Sequence, residues 1–184
     1  LQNIHTHRVT TMATDLNLLL SATEPWAYRV ECDAASLRAR SQAWRMNGSE
    51  LQVFMFEGTR MTTAQGLYDE LVRVLHLPGY FGNNFNALSE CLTDVDVMKG
   101  SAFLLVIIDG DYVLRDAATE MLSGFIDVLQ GSGEEWATTA DIERPWHRFA
   151  SPFHTIFHIG VASCREDLRR LPLLPTDSSS ITES

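Results

Sequence analysis

Cysteine is scarce in this chain. Cys32, Cys91 and Cys164 are odd in number and far apart, which excludes a disulfide framework and fits a reducing compartment. Long apolar runs are missing too. The longest, Ala102 to Ile108, falls well short of the roughly 20 residues that a bilayer-spanning helix needs. The first residues, LQNIHTHRVTT, hold no basic stretch feeding an apolar one, so no secretory signal is expected there. Positive charge is sparse: 14 Lys and Arg stand against 24 Asp and Glu, a net charge of -10. That balance repels nucleic acid and favours basic protein surfaces, or serves solubility alone. No GxSxG, P-loop or HExxH occurs, and no other pattern supplies an activated nucleophile, an acid–base pair or a metal. An enzyme is not expected.

What remains is a chain of 184 residues, 45% apolar, enough for one compact domain with a sizeable core. Its charge is uneven. Residues 1–48 carry 4 acids and 5 bases, residues 49–160 carry 16 and 6, and residues 161–184 carry 4 and 3. The nets are +1, -10 and -1, so the negative excess sits in the middle segment. This suggests an N-terminal extension packed on the core (1–48), a main domain (49–160) and a partly disordered C-terminal tail (161–184).

Local patterns give the expected elements. LNLLL at 16–20 is a short helix or strand needing cover. Tyr28 to Glu31 is a candidate strand, and Asp33 caps a helix through about Gln42 with Leu37 inward. Leu51 to Phe56 is a strand apolar on both faces, as in a sheet covered by helices. Thr62 with Gln65 has capping-box spacing. Leu67, Leu71, Val74 and Leu75 follow at helical intervals, and Pro78 ends that helix. Asn84 to Thr93 is a second helix with Phe85, Leu88 and Leu92 inward and Asn86, Glu90 and Thr93 sharing the other face. Ala102 to Ile108 is the clearest strand. Asp116 is expected to cap a third helix that Gly131 to Gly133 stop, with Glu134 to Trp136 helical again. Thr138 to Pro152 reads as a loop before a last strand, Phe153 to Ile159. The fold class is α/β: a small, at least partly parallel sheet packed against helices.

The segment Tyr80 to Asp94, YFGNNFNALSECLTD, resembles the central motif of the barstar family, bacterial inhibitors of secreted guanyl-type ribonucleases such as barnase. The strand ending at Gly58, the helix, Pro78, the aromatic-glycine turn and the later strand–helix–strand match the family in order over about 51–160. EEWA at 134–137 resembles a feature of longer members. The resemblance implies a barstar-like sheet, no cofactor, and a basic ribonuclease bound one-to-one in the cytoplasm. It implies that the turn and second helix plug the nuclease cleft. Tyr80 matches a packing aromatic. Glu90 matches the key acid, which takes the place of an RNA phosphate. Thr93 matches a peripheral contact, and Asp127 or Glu120 a further acid. Asn86 replaces an Asp and Ser89 a Trp of the best-known inhibitor. Those two changes leave open a second reading, an adaptor or regulatory module whose partner is not a nuclease.

Each residue also has a plainer role. Glu90 can be a solvated helix acid, Tyr80 a partly buried ring, and Asn84 a cap, with Asn83 and Asn86 left to face a partner. Gly82 is a candidate hinge whose φ the sequence does not reveal. Cys91 reads as a core thiol. His147, His154 and His158 invite a metal reading, but residues 154 and 158 of one strand lie about 13 Å apart, too far for one ion. Asp109, Asp111 and Asp116 read as loop caps.

Overall fold

The computed structural model of the chain describes residues 16–48, 50–138, 149–163 and 165–175. Its strands are β1 (Ala27–Val30), β2 (Leu51–Glu57), β3 (Ala102–Ile108) and β4 (Phe153–His158). Its helices are α1 (Ala34–Asn47), α2 (Ala64–Leu75), α3 (Phe85–Thr93), α4 (Glu120–Ala137) and the short α5 (Glu166–Arg169), besides a helical turn at 16–19. The strands form one sheet in the order β1-β4-β3-β2, and every neighbouring pair is parallel. The α/β architecture with helices on a parallel sheet agrees with the sequence reading.

Helices on both faces explain the strand sequences. β3, AFLLVII, is buried at all seven positions, as an inner strand covered on both sides must be. One face carries Phe103, Leu105, Ile107, Phe153 and Phe157 and packs under α2, α3 and α4. The other carries Leu104, Val106, Ile108 and Ile156, covered by Leu37 and Trp44 of α1 and by Leu19. β1 and α1 are thus an edge strand and a covering layer, both drawn from the first 48 residues.

Several boundaries differ from expectation. α1 continues past Gln42 to Asn47 because Trp44, buried two turns after Leu37, anchors its last part. β1 and β4 each end one residue earlier than expected, although Ile159 still donates to the Val30 carbonyl at 3.0 Å. α2 is capped by Thr63, not Thr62: Thr63 Oγ1 accepts from Gly66 N–H at 3.1 Å. Thr62 instead uses its carbonyl to receive Asp116 N–H at 2.9 Å, and Gln65 bonds Asp69.

The largest correction concerns α4. It starts at Glu120, not after Asp116, because residues 109–117 form a turn-rich loop in which Asp109 and Leu114 have positive φ. It then passes through Gly131 to Gly133 unbroken. Each mid-helix glycine costs about 1 kcal/mol, but tertiary contacts outweigh that. Trp136 is buried, lies 4.8 Å from the Phe103 ring, and donates its indole N–H to the Leu92 carbonyl at 2.7 Å.

Both sheet edges are closed. On β2, Arg45 donates to the Val53 carbonyl, and Glu70, 2% exposed, accepts from Glu57 N–H. Burial alone would raise the Glu70 carboxyl, but Arg73 and that N–H hold it below the ordinary range. On β1, Arg29 N–H donates to the Pro172 carbonyl and Leu174 N–H to the Arg29 carbonyl. Leu171 and Leu174 are buried there, so the start of the tail belongs to the fold. The disorder expected at its end, and most of the loop expected at 138–152, lie outside the described residues.

Candidate partner-binding face

The face grows out of one tight turn. Phe81 N–H donates to the Pro78 carbonyl at 2.9 Å, which places Gly79 and Tyr80 at the corners. Tyr80 is turned outward and is 78% exposed. Phe81 is turned inward, edge-on to Tyr68 with centroids 5.8 Å apart. The left-handed residue of the motif is Asn83, at φ 48°, a conformation that asparagine tolerates better than most side chains. Gly82 is not in that region. Its lack of a Cβ makes room for Asn84, whose Nδ2 would lie 3.0 Å from such a carbon.

Asn84 is the brace. Its Oδ1 accepts from Ala87 N–H at 2.9 Å and caps α3, while its Nδ2 donates to the Gly82 carbonyl at 3.0 Å. Leu88, Cys91 and Leu92 then face the core. Phe85 is half-buried, stacked 6.4 Å from Phe125, and sits where a Cβ on Gly124 would reach to 3.1 Å. α3 is therefore pinned to α4 at both ends, by Phe85 over Gly124 and by Trp136 on Leu92. None of these long-range contacts has a signal in the sequence.

The side of α3 turned away from that packing carries the predicted residues. Asn86 and Glu90 are exposed one helical turn apart, and Ser89 and Thr93 are half-buried beside them. Thr93 Oγ1 donates back to the Ser89 carbonyl at 2.9 Å. Asn83 is exposed at the head of the helix. Asp127 is exposed on α4, one turn beyond Gly124, and Glu120 is exposed at the start of α4. Thus Tyr80, Asn83, Asn86 and Glu90 are each exposed along the turn and helix, and Asp127 is exposed on the neighbouring helix. Cys91 is buried, and its thiol is pushed up by burial and further by Asp94 and Glu90, against any nucleophilic role.

The charge is one-sided. Residues 79–98 and 117–138 contain no Lys, Arg or His, yet they hold Glu90, Asp94, Asp96, Glu120, Asp127, Glu134 and Glu135. Among the described residues, Glu90, Asp96, Glu120 and Asp127 join no ion pair, whereas Glu31, Glu57, Glu70 and Glu166 each meet an arginine. Those four acids elsewhere are paired within the fold, and Glu90, Asp96, Glu120 and Asp127 are exposed.

The other candidates have internal roles. His154 contacts the Ser21 and Pro25 carbonyls, and His158 contacts the Cys32 carbonyl and Asp109 N–H. His147 lies outside the described residues. Asp111 accepts from Gly160 N–H and the Ser163 hydroxyl. Among the described residues no helix is long and apolar enough to cross a membrane. No curated protein matches the chain. A family model does, over residues 36–152, from within α1 to the residue before β4, and by that match the chain belongs to the family described as Barstar (barnase inhibitor).

Proposed function

We propose that the protein is a bacterial, cytoplasmic inhibitor, not an enzyme, that binds a basic ribonuclease one-to-one and blocks its active cleft. The observation that carries this reading is the unpaired carboxylate of Glu90. It stands exposed on a capped helix whose own segment, like that of α4, contains no Lys, Arg or His. An extended cationic cleft that binds RNA phosphate complements such a face, and opposite potentials speed encounter and fix register. Tyr80, Asn83, Asn86, Ser89, Glu90, Thr93 and Asp127 are the assigned contacts. The role fits an immunity protein that guards a cell against its own or a neighbour's nuclease.

Asn86 and Ser89 favour a second reading. They lack the carboxylate and the aromatic ring that a central hot spot would use, as an adaptor for a different partner would. A titration separates the two. The full chain is mixed with a small basic guanyl-type ribonuclease, and both RNA cleavage and the dissociation constant are followed. Inhibition is expected, with Glu90→Gln weakening binding by about 2–5 kcal/mol, the usual cost of unpairing a charge in an interface. Asn86→Asp is expected to tighten binding by restoring a second carboxylate one turn away. Equal dissociation constants for wild type and Glu90→Gln would make the α3 face ordinary solvated surface and leave the adaptor reading.

A further inference from the structure

Loops at the carboxyl ends of β3 and β4 line an open pocket of about 410 Å³, within the volume range of small-molecule sites. Such strand ends are where open parallel sheets receive ligands. It is lined by Asp111, Tyr112 and Arg115 from after β3 and by Gly160, Ser163 and Arg165 from after β4. Asp111 stitches the loops together by accepting from Gly160 N–H and the Ser163 hydroxyl. Both of its oxygens are thereby engaged. The loop after β3 is anchored at Leu114, which holds a left-handed backbone and donates its N–H to the Met61 carbonyl at 2.7 Å.

Two guanidinium groups line this cavity in a chain of net charge -10. Arg165 is held in place because Nη1 donates to the Val113 carbonyl at 3.1 Å and the Asp111 carbonyl at 3.3 Å. Its Nε and Nη2 have no acceptor among the described residues. Arg115 is stacked over the Tyr112 ring, 4.5 Å from its centroid. Asp116 lies 3.7 Å from its Nε. Both arginines line the same pocket as the exposed Tyr112, and guanidinium matches phosphate in geometry and charge.

We propose that this cavity binds a phosphate-bearing small molecule of about mononucleotide size, with Arg115 and Arg165 on the phosphate. Its lining shares no residue with the contacts proposed for inhibition. Nuclear magnetic resonance titrations of the full chain with inorganic phosphate, guanosine 5′-monophosphate and guanosine test it. Saturable amide shifts are expected at residues 110–115 and 160–163 with both phosphates and not with guanosine. Tighter binding of the nucleotide would identify an ester as the ligand, and equal binding the phosphate group alone. Arg115→Gln, a change at a half-exposed side chain, is expected to weaken binding at least about tenfold, the effect of about 1.4 kcal/mol. Arg165→Gln is expected to act likewise, and should it disturb folding, Arg115→Gln alone decides. No saturable shift at these residues, or unchanged affinity in Arg115→Gln, would overturn the proposal.

Discussion

A single side chain can report on how the fold is held, and His154 does so. It is fully buried in β4, flanked by the rings of Trp26 and Tyr28. Its Nε2 lies 2.7 Å from the Ser21 carbonyl and its Nδ1 3.1 Å from the Pro25 carbonyl. A neutral imidazole has one N–H for these two acceptors. Burial lowers the pKa, the two carbonyls pull it up, and burial wins. The unfolded chain therefore takes up a proton at a pH where the folded chain still resists it. Stability is full above the ordinary histidine pKa of about 6.5 and falls as the pH drops below it towards the lower folded value. Urea midpoints measured across that window should decline for the wild type and decline less for His154→Phe. Parallel curves would show that this ring does not sense pH. At the same scale, the sequence revealed what depends on near neighbours. Asn84 as a cap and the shared side of Asn86 and Glu90 follow from spacing alone. It did not reveal that Asn83, not Gly82, carries the positive φ, because both residue types tolerate that conformation.

Among the elements, α4 shows where sequence patterns mislead. Three glycine and serine positions in a row, 131–133, signal a stop, and the helix ignores them. The two glycines nevertheless do different work. A Cβ on Gly131 would meet nothing within 4 Å, whereas one on Gly133 would lie 2.6 Å from Trp26 Cβ and Cγ. Gly131→Ala should therefore stabilise by about 0.8–1 kcal/mol through helix propensity. Gly133→Ala gains the same propensity but forces apart α4 and the segment before β1, and overpacking costs about 1–3 kcal/mol. Chemical denaturation of the pair should move in opposite directions. A gain in both would mean that the Trp26 contact gives way easily. β3 and α3 were legible because burial on both faces and a 3.6-residue stripe are written in consecutive residues. The length of α4 was not, because Trp26, Leu92 and Phe103, which hold its last turns, are distant in sequence.

At the scale of the whole molecule, the sheet needs two covers, and they come from different parts of the chain. α2, α3 and α4 cover one face and present the acidic surface. The opposite face is covered chiefly by α1, with Leu37 and Trp44, and by Leu19. β1 shields the side of β4 that β3 does not, and the segment at 171–174 closes β1 in turn. The charge boundary at residue 48 is therefore not matched by a break in the packing, which runs from β1 through β4 to β3. We expect removal of residues 1–48 to uncover Leu104, Val106, Ile108 and Ile156 and to leave β4 with an open edge, a template for association between chains. The truncated protein should aggregate or melt well below the full chain, although it keeps every proposed contact residue. Light scattering and thermal unfolding of the purified pair measure this directly. Full solubility and an unchanged melting temperature would make the segment a dispensable arm. A soluble, folded truncate that no longer bound the proposed nuclease partner would instead assign residues 1–48 to partner choice. With the expected loss of stability, the link to function is indirect: α1 and β1 hold the sheet, the sheet holds α4, and α4 holds the helix that carries Glu90.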